Sequence, residues 1–134
     1  MTEQKNARAL HMALWVVQVL LALAFGMAGF MKMTAPIEQL AQMGMTFVNR
    51  LDVGTVRFIG ISEMLGAIGL ILPAALRIKP MLTPLAALGI AVIMVLAIFQ
   101  HVSNNEPYLP NIFLLALAVF VAWGRFIKAP IQAK

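Results

Sequence analysis

The sequence contains no cysteine, and only 11% of its 134 residues are charged. Without cysteine the chain cannot form a disulfide, carry out thiol chemistry, or hold a Cys-ligated metal or Fe–S cluster. Soluble globular proteins carry roughly 25% charged residues, so the low charge argues against a soluble domain. The ten basic residues form no basic stripe, and we therefore expect no nucleic-acid binding.

Hydrophobic residues, in contrast, make up 62% of the chain and concentrate in four long runs. The runs cover about residues 10–31, 56–76, 81–100 and 110–127, long enough to cross ~30 Å of hydrocarbon as helices. They lack the alternation of barrel strands. The sequence predicts an all-α fold, a four-transmembrane-helix bundle that forms one domain over residues 1–134. The first run has no small-x-small cleavage site, which predicts a retained helix rather than a signal peptide.

The distribution of Lys and Arg predicts the orientation of the bundle. Placing both termini in the cytoplasm leaves seven of the ten basic residues inside and three outside. We therefore expect an integral protein of the bacterial inner (cytoplasmic) membrane, with both termini cytoplasmic and the lipid bilayer as its first partner. Four side chains are predicted to anchor the bundle at the two interfaces: Trp15, Trp123, Arg125 (snorkelling to lipid phosphate) and Tyr108.

The loop between the first two spans predicts a short amphipathic helix. Pro36 suits a first helical position and Gly44 a C-terminal cap, while Ile37 and Leu40 share one side. We expect this helix to lie in the outer interface. Two interpretations stay open: it covers the bundle as a lid, or it follows the membrane surface without a lid function.

The few polar residues inside the spans are the candidate ligand-binding residues. An ionisable group in a spanning helix costs at least a few kcal/mol, so Glu63 needs a donor from another helix or is protonated. Lys32 lies at the outer end of an inward stripe of the first helix, and Asn111 lies at the outer level of the fourth. The candidates are Glu63, Lys32, Arg57, His101, Asn111 and Gln18. These residues could instead form a hydrogen-bond network that fixes helix register without a ligand.

Metal and haem chemistry find little support in the sequence. His11 and His101 lie at opposite ends of the bundle, which excludes a bis-His haem. Glu63 and His101 are too few ligands to argue a metal site. No phosphate loop, Ser/His/Asp arrangement or pair of carboxylates is present, so we expect no catalytic residue and no catalysis by the chain on its own.

Two motifs carry a resemblance to a known family. The first helix closes on Gly29-x-x-Lys32, and the second contains Arg57-x-Ile59-Gly60-x-x-Glu63-x-x-Gly66-Ala67. With the Ala-rich third helix and a fourth helix led by Asn111, the chain resembles the DoxX-like family of small four-helix membrane proteins. The resemblance implies relatives among the membrane subunits of thiosulfate:quinone oxidoreductase, among partners in oxidative-stress complexes, and among eukaryotic proteins of receptor assembly. Without cysteine, this chain cannot itself perform a sulfur relay.

Three functional hypotheses remain. The first is an accessory subunit of a membrane redox system, with a pocket for a quinone or another small apolar ligand in the outer half of the bundle. Its partners would be other membrane or redox subunits. The alternative is a non-catalytic assembly or scaffold protein that binds other membrane helices through Gly/Ala faces. The last is a small proton-coupled carrier with Glu63 as the protonated residue, which would need to form a homo-oligomer.

Overall fold

The structure, a computed structural model, describes residues 2–134 and contains no strand in that range. Its helices are α1 (Thr2–Thr34), α2 (Ile37–Gln42), α3 (Val53–Leu76), α4 (Leu82–Ser103) and α5 (Leu109–Trp123). A 3-10 turn lies at Thr46–Asn49, and a π-helical turn, Gly124–Lys128, continues α5. Four helices are long and apolar enough to cross a membrane: α1, α3, α4, and α5 with its π turn. The predicted all-helical fold, with four helices long and apolar enough to span a membrane, is confirmed.

The long helices differ from the predicted spans at several ends, most of all at the start of the first helix. The first helix begins at Thr2, well before the apolar run, because residues 2–9 contain no glycine or proline to stop it. Pro36 is the N-cap of α2, with extended backbone, rather than its first helical residue. Gly44 follows α2 with a φ of 99°, the left-handed conformation that commonly ends a helix. The position of α2 relative to a bilayer stays a prediction.

The four long helices pack in a ring. The α1 helix lies along α3, α3 contacts α4, and α4 contacts α5, which returns to α1. The up-and-down connectivity places both chain termini at one end of the bundle, here called the termini end, together with the α3–α4 turn. The opposite end, here called the loop end, carries residues 35–52 and the turn between α4 and α5.

An apolar layer fills the middle of the bundle. Its buried residues include Leu21 and Phe25 of α1, Ala67 and Leu70 of α3, and Ile90 of α4. The outer surfaces of the same helices are also apolar, and the side chains there are exposed. A helix that is hydrophobic on both its inner and outer faces suits a bilayer, where the surroundings of the bundle are themselves hydrocarbon.

Pro73 lies inside α3 and leaves one backbone carbonyl without its helical donor. Because proline has no N–H, the carbonyl of Gly69, four residues earlier, loses its usual partner. The buried hydroxyl of Thr83 on α4 donates a hydrogen bond of 2.9 Å to this oxygen. The contact satisfies a polar group in an apolar region and ties α3 to α4.

Candidate functional site

A pair of glycines sets the crossing of α1 and α3. A Cβ atom on Gly29 would lie 2.7 Å from the carbonyl oxygen of Gly60, and a Cβ on Gly60 would lie 2.8 Å from that of Gly29. The two backbones are therefore in contact, an approach that only glycine permits. The side chain of Lys32 packs over Gly60, and that of Glu63 packs over Gly29. The crossing thus brings two charged side chains together inside the bundle.

Lys32 and Glu63 form a buried ion pair. The distance between Lys32 Nζ and Glu63 Oε1 is 2.7 Å, and Glu63 is only 1% exposed. The Lys32 ammonium also lies 5.4 Å from the centre of the Phe47 ring, a cation–π contact from the 3-10 turn. Each charge is the partner that the other needs, because a single charge in this position would be strongly disfavoured.

A cavity of about 380 Å³ lies beside this ion pair, and we call it the loop-end cavity. Its wall is mostly apolar and includes a small set of polar side chains. The apolar residues are Phe47, Leu51, Phe58, Ile59, Ile93, Met94, Leu96, Ala97 and Phe99; the polar residues are Lys32, Ser62, Glu63, Gln100, His101 and Asn111. Such a combination is typical of pockets for small apolar ligands that carry a polar group.

The cavity opens sideways, between α3 and α4. Phe58 of α3 and Phe99 of α4 line it and are 67% and 71% exposed, so they flank its mouth on the outer surface of the bundle. Phe47 and Leu51, from residues 35–52, line it as well. In a membrane, a mouth between two spanning helices faces lipid, the phase in which an apolar ligand is dissolved.

A group of hydrogen bonds at the loop end joins the residue 35–52 segment to α4, and we call it the Glu106 clasp. Arg50 Nη2 donates to Glu106 Oε1 at 3.0 Å, and Thr46 donates to the same carboxylate. His101 Nδ1 lies 3.1 Å from Glu106 Oε1 and donates to it, since an ionised carboxylate only accepts. The hydrogen bonds from Arg50, Thr46 and His101 lower the pKa of Glu106 to about 2.

The structure brings four of the predicted ligand-binding residues to this cavity. Lys32, Glu63, His101 and Asn111 all line it. Arg57 does not. Its Nη1 instead donates to the carbonyl oxygens of Lys32, at 2.9 Å, and Ala35, at 2.6 Å. The guanidinium therefore caps the C-terminal end of α1 and holds the chain where it turns into the loop.

Gln18 lies in a second polar cluster, at the termini end. Its side chain is fully buried, and its Nε2 donates to the carbonyl oxygen of Leu70 at 2.7 Å. Arg125 Nε donates to Gln18 Oε1, also at 2.7 Å. Arg125 Nη1 donates to His11 Nδ1 at 3.1 Å and to the carbonyl oxygen of Ala129 at 2.8 Å. Gln18 therefore does not reach the loop-end cavity.

The prediction that Arg125 snorkels to the interface is wrong, because its side chain is only 2% exposed. The cause is the close approach of the π turn to α1. A Cβ atom on Gly124 would lie 2.5 Å from the Leu14 side chain, so a larger residue at position 124 would require the buried Leu14 side chain to move. The guanidinium lies 5.8 Å from the centre of the Trp15 ring. Trp123 and Tyr108 are exposed at opposite ends of the bundle, and their role as interface anchors stays a prediction.

A matched spacing in the sequence predicts the contact between Gln18 and Arg125, although the sequence analysis did not use it. Gln18 is fourteen residues before Lys32 on α1, and Arg125 is fourteen residues after Asn111 on the last span. Since Lys32 and Asn111 share a level, Gln18 and Arg125 must share one as well. The Glu106 clasp had no comparable signal, because Arg50 and Glu106 lie in irregular segments 56 residues apart.

No three His, Asp or Glu side chains come together as metal ligands within residues 2–134. The side chains of the loop-end cavity offer a paired ammonium and carboxylate, an imidazole and two amides beside apolar residues.

Comparison with known proteins gives a family. The model of the DoxX-like family matches residues 16–123, which include all the cavity residues and Gln18. No curated protein and no solved structure matches the chain in these comparisons. The match extends over most of the sequence and agrees with the four spans of the structure. The chain belongs to the DoxX-like family and is a membrane protein of that family.

Proposed function

We propose that the loop-end cavity binds a small, mostly apolar ligand with a polar head, that a quinone is the ligand class it fits best, and that the protein serves as an accessory subunit of a membrane redox system. The observation that carries the proposal is the cavity of about 380 Å³ beside the Lys32–Glu63 ion pair. Its volume lies in the range of roughly 300–1,000 Å³ found for small-molecule sites.

The donor set of the cavity fits a quinone head. A quinone carbonyl needs a hydrogen-bond donor, and Lys32 Nζ and the amide of Asn111 are donors among the residues that line the cavity. Nδ1 of His101 donates to Glu106, so Nε2 of a neutral ring is an acceptor, which suits the hydroxyl of a quinol rather than the carbonyl of a quinone. Phe58 and Phe99 at the mouth would contact the ring or the tail. A bound quinone would supply two-electron redox chemistry, while these residues would hold and orient it.

The redox role is our inference, and the character of the cavity supports it. The chain has no cysteine, so we assign the redox centre to a partner subunit and the ligand pocket to this chain. We also infer that the termini end faces the cytoplasm of a bacterium, with the protein in the inner membrane. Seven of the ten basic residues then lie on the cytoplasmic side, as the positive-inside rule requires.

The scaffold alternative has less support. It relies on Gly and Ala faces that other helices could pack against, and most of the glycines in the spans already serve contacts inside the bundle. Gly29 and Gly60 form the α1–α3 crossing, and Gly66 and Gly69 meet Ile90 and Ala86 of α4. A Cβ on Gly89, by contrast, would meet open space.

The carrier alternative also has less support, because an apolar layer separates the two polar regions. Gln18 and Lys32 are fourteen residues apart on α1, or about 21 Å. Leu21 and Phe25 of α1, with Ala67 and Leu70 of α3, occupy the space between them. A proton path along the bundle would need polar groups or water across this layer.

A thermal-shift titration with a short-chain benzoquinone tests the proposal. We expect the unfolding temperature of the purified protein in detergent to rise in a saturable manner. Ala97→Phe, which places a ring in the cavity wall, should weaken the response at least tenfold. Ala116→Phe adds the same ring to an exposed position of α5 and should leave the response unchanged.

A quinone-dependent shift that Ala97→Phe leaves intact would refute the cavity as the site. No shift with any quinone tested would refute the quinone proposal itself. Glu63→Gln, which removes the charge of the carboxylate at nearly constant volume, should weaken quinone binding more than Glu38→Gln, a change on the exposed face of α2.

A further inference from the structure

Arg125 is a buried cation that the loop-end cavity does not use. It is 2% exposed, and its hydrogen-bond partners are the neutral groups of Gln18, His11 and Ala129. His11 Nδ1 accepts from Arg125, because a guanidinium can only donate, and this imidazole is therefore neutral. None of the ion pairs among residues 2–134 includes Arg125.

One nitrogen of this guanidinium has no partner at all. Within the described chain, Arg125 Nη2 is buried and makes no hydrogen bond. A buried charge without a counter-ion and a buried N–H without an acceptor are each unfavourable. A negative charge close to the guanidinium would offset the first of these costs.

A cleft lies next to this cation, and we call it the termini-end cleft. It has a volume of about 460 Å³ and is lined by His11, Trp15, Ala74, Ala75, Arg77 and residues 130–132. Two of these residues, His11 and Trp15, contact the Arg125 guanidinium directly. On the other side, Arg77 brings a second cation to the cleft, and its Nε holds the C-terminal segment through the carbonyl oxygen of Gln132 at 2.7 Å.

The charges around the cleft favour an anion. Arg77 and Arg125 contribute two cations, while four of the five acidic residues, Glu38, Asp52, Glu63 and Glu106, lie in the loop-end half of the bundle. The cleft also lies where the spans α3 and α5 end, which in a membrane is the level of lipid headgroups. Phosphate is the group at this level that provides several acceptor oxygens and a negative charge.

We propose that the termini-end cleft binds a phosphate group beside Arg77, His11 and Trp15, attracted also by the charge of Arg125, which lies buried behind His11 and Trp15. The phosphate would be supplied by an anionic lipid headgroup or by free phosphate. The site is independent of the quinone proposal, because it lies at the other end of the bundle and shares no residue with the loop-end cavity.

The fluorescence of Trp15, which lines the cleft, can report binding there directly. The chain has two tryptophans, so the background change Trp123→Phe leaves Trp15 as the only one. The full-length protein in a phosphate-free maltoside detergent is titrated with dioleoylphosphatidylglycerol, with dioleoylglycerol (the same tails without phosphate), and with inorganic phosphate. We expect a saturable change in Trp15 emission with the phospholipid and none with dioleoylglycerol. A saturable response to inorganic phosphate as well would assign the group to free phosphate; a response to the lipid alone would assign it to the headgroup.

Two pairs of variants distinguish a specific site at the cleft from general attraction between a basic surface and an anion. Arg125→Gln should weaken binding about tenfold or more, while Lys128→Gln, which removes an exposed charge from the same π turn, should change it less than twofold. If Arg125→Gln does not fold, the two exposed positions Arg77 and Lys79 provide the test. Arg77→Gln should weaken phosphate binding about fivefold, and Lys79→Gln should not weaken it. The proposal would be overturned if both variants of a pair weakened binding equally. It would also be overturned if dioleoylglycerol changed Trp15 emission as much as the phospholipid does, or if no phosphate compound changed it.

Discussion

The two ends of the bundle solve the problem of a buried charge in different ways. At the loop end, the Lys32 ammonium meets the Glu63 carboxylate at 2.7 Å, and the pair borders a cavity. At the termini end, the Arg125 guanidinium meets only neutral groups, and one of its nitrogens is unpaired within the described chain. The comparison teaches that two buried charges can differ in their pairing: Lys32 has a counter-ion within the protein, and Arg125 has none among the described residues.

The largest expected effect comes from breaking the ion pair. Lys32→Met leaves the Glu63 carboxylate buried without a counter-ion, and we expect it to lower the free energy of unfolding by about 3 kcal/mol or more. The double variant Lys32→Met/Glu63→Leu removes both charges and should recover most of that loss. Equilibrium unfolding in mixed detergent micelles measures both. A double variant as unstable as the single one would contradict a paired charge.

The next effect concerns the glycine crossing that positions the pair. Gly60→Ala places a Cβ 2.8 Å from the backbone of α1, so α1 and α3 must separate, and we expect a loss of about 2 kcal/mol. Gly89→Ala is the matched control, since its Cβ would meet open space on α4. The same unfolding measurement compares them. Similar stabilities for the two variants would argue against backbone contact at the crossing.

A smaller effect is expected at the termini end. Arg125→Met removes a cation whose partners are neutral, so no opposite charge is left behind, and the main cost is the unpaired Gln18 oxygen. In phosphate-free detergent we expect a loss of about 1 kcal/mol, well below that of Lys32→Met. A loss as large as that of Lys32→Met would indicate that the two ends are energetically alike.

The smallest effect is a pH dependence of the Glu106 clasp. The pKa of Glu106 is lowered from 4.5 to about 2 by the hydrogen bonds of Arg50, Thr46 and His101, so the folded state holds the ionised form. The clasp therefore contributes stability above about pH 4.5, and the contribution is lost as the pH falls towards 2. The stability difference between the native protein and Glu106→Gln should be constant above pH 5 and shrink below pH 4. A difference that does not change between pH 5 and pH 3 would contradict the assignment.

The sequence predicted the loop-end contacts better than those of the termini end, for a physical reason. Lys32 and Glu63 could be placed by helical periodicity, since each lies on an inward face that is otherwise apolar or small. Arg125 lies near the end of a span, where an arginine usually reaches the interface, and its inward course depends on the contact between Gly124 and Leu14. The cavity and the Glu106 clasp depend on how loops pack on the helix ends, which periodicity does not describe.

An experimental density map of the loop end tests the central claim most directly. The protein would be purified from its native membrane in a mild detergent, so that a bound ligand is retained. The account predicts a cavity between α3 and α4 that holds non-protein density in contact with the Lys32–Glu63 pair and His101. A loop end in which the protein's own side chains fill that space, with Lys32 and Glu63 in a closed hydrogen-bonded core, would contradict it.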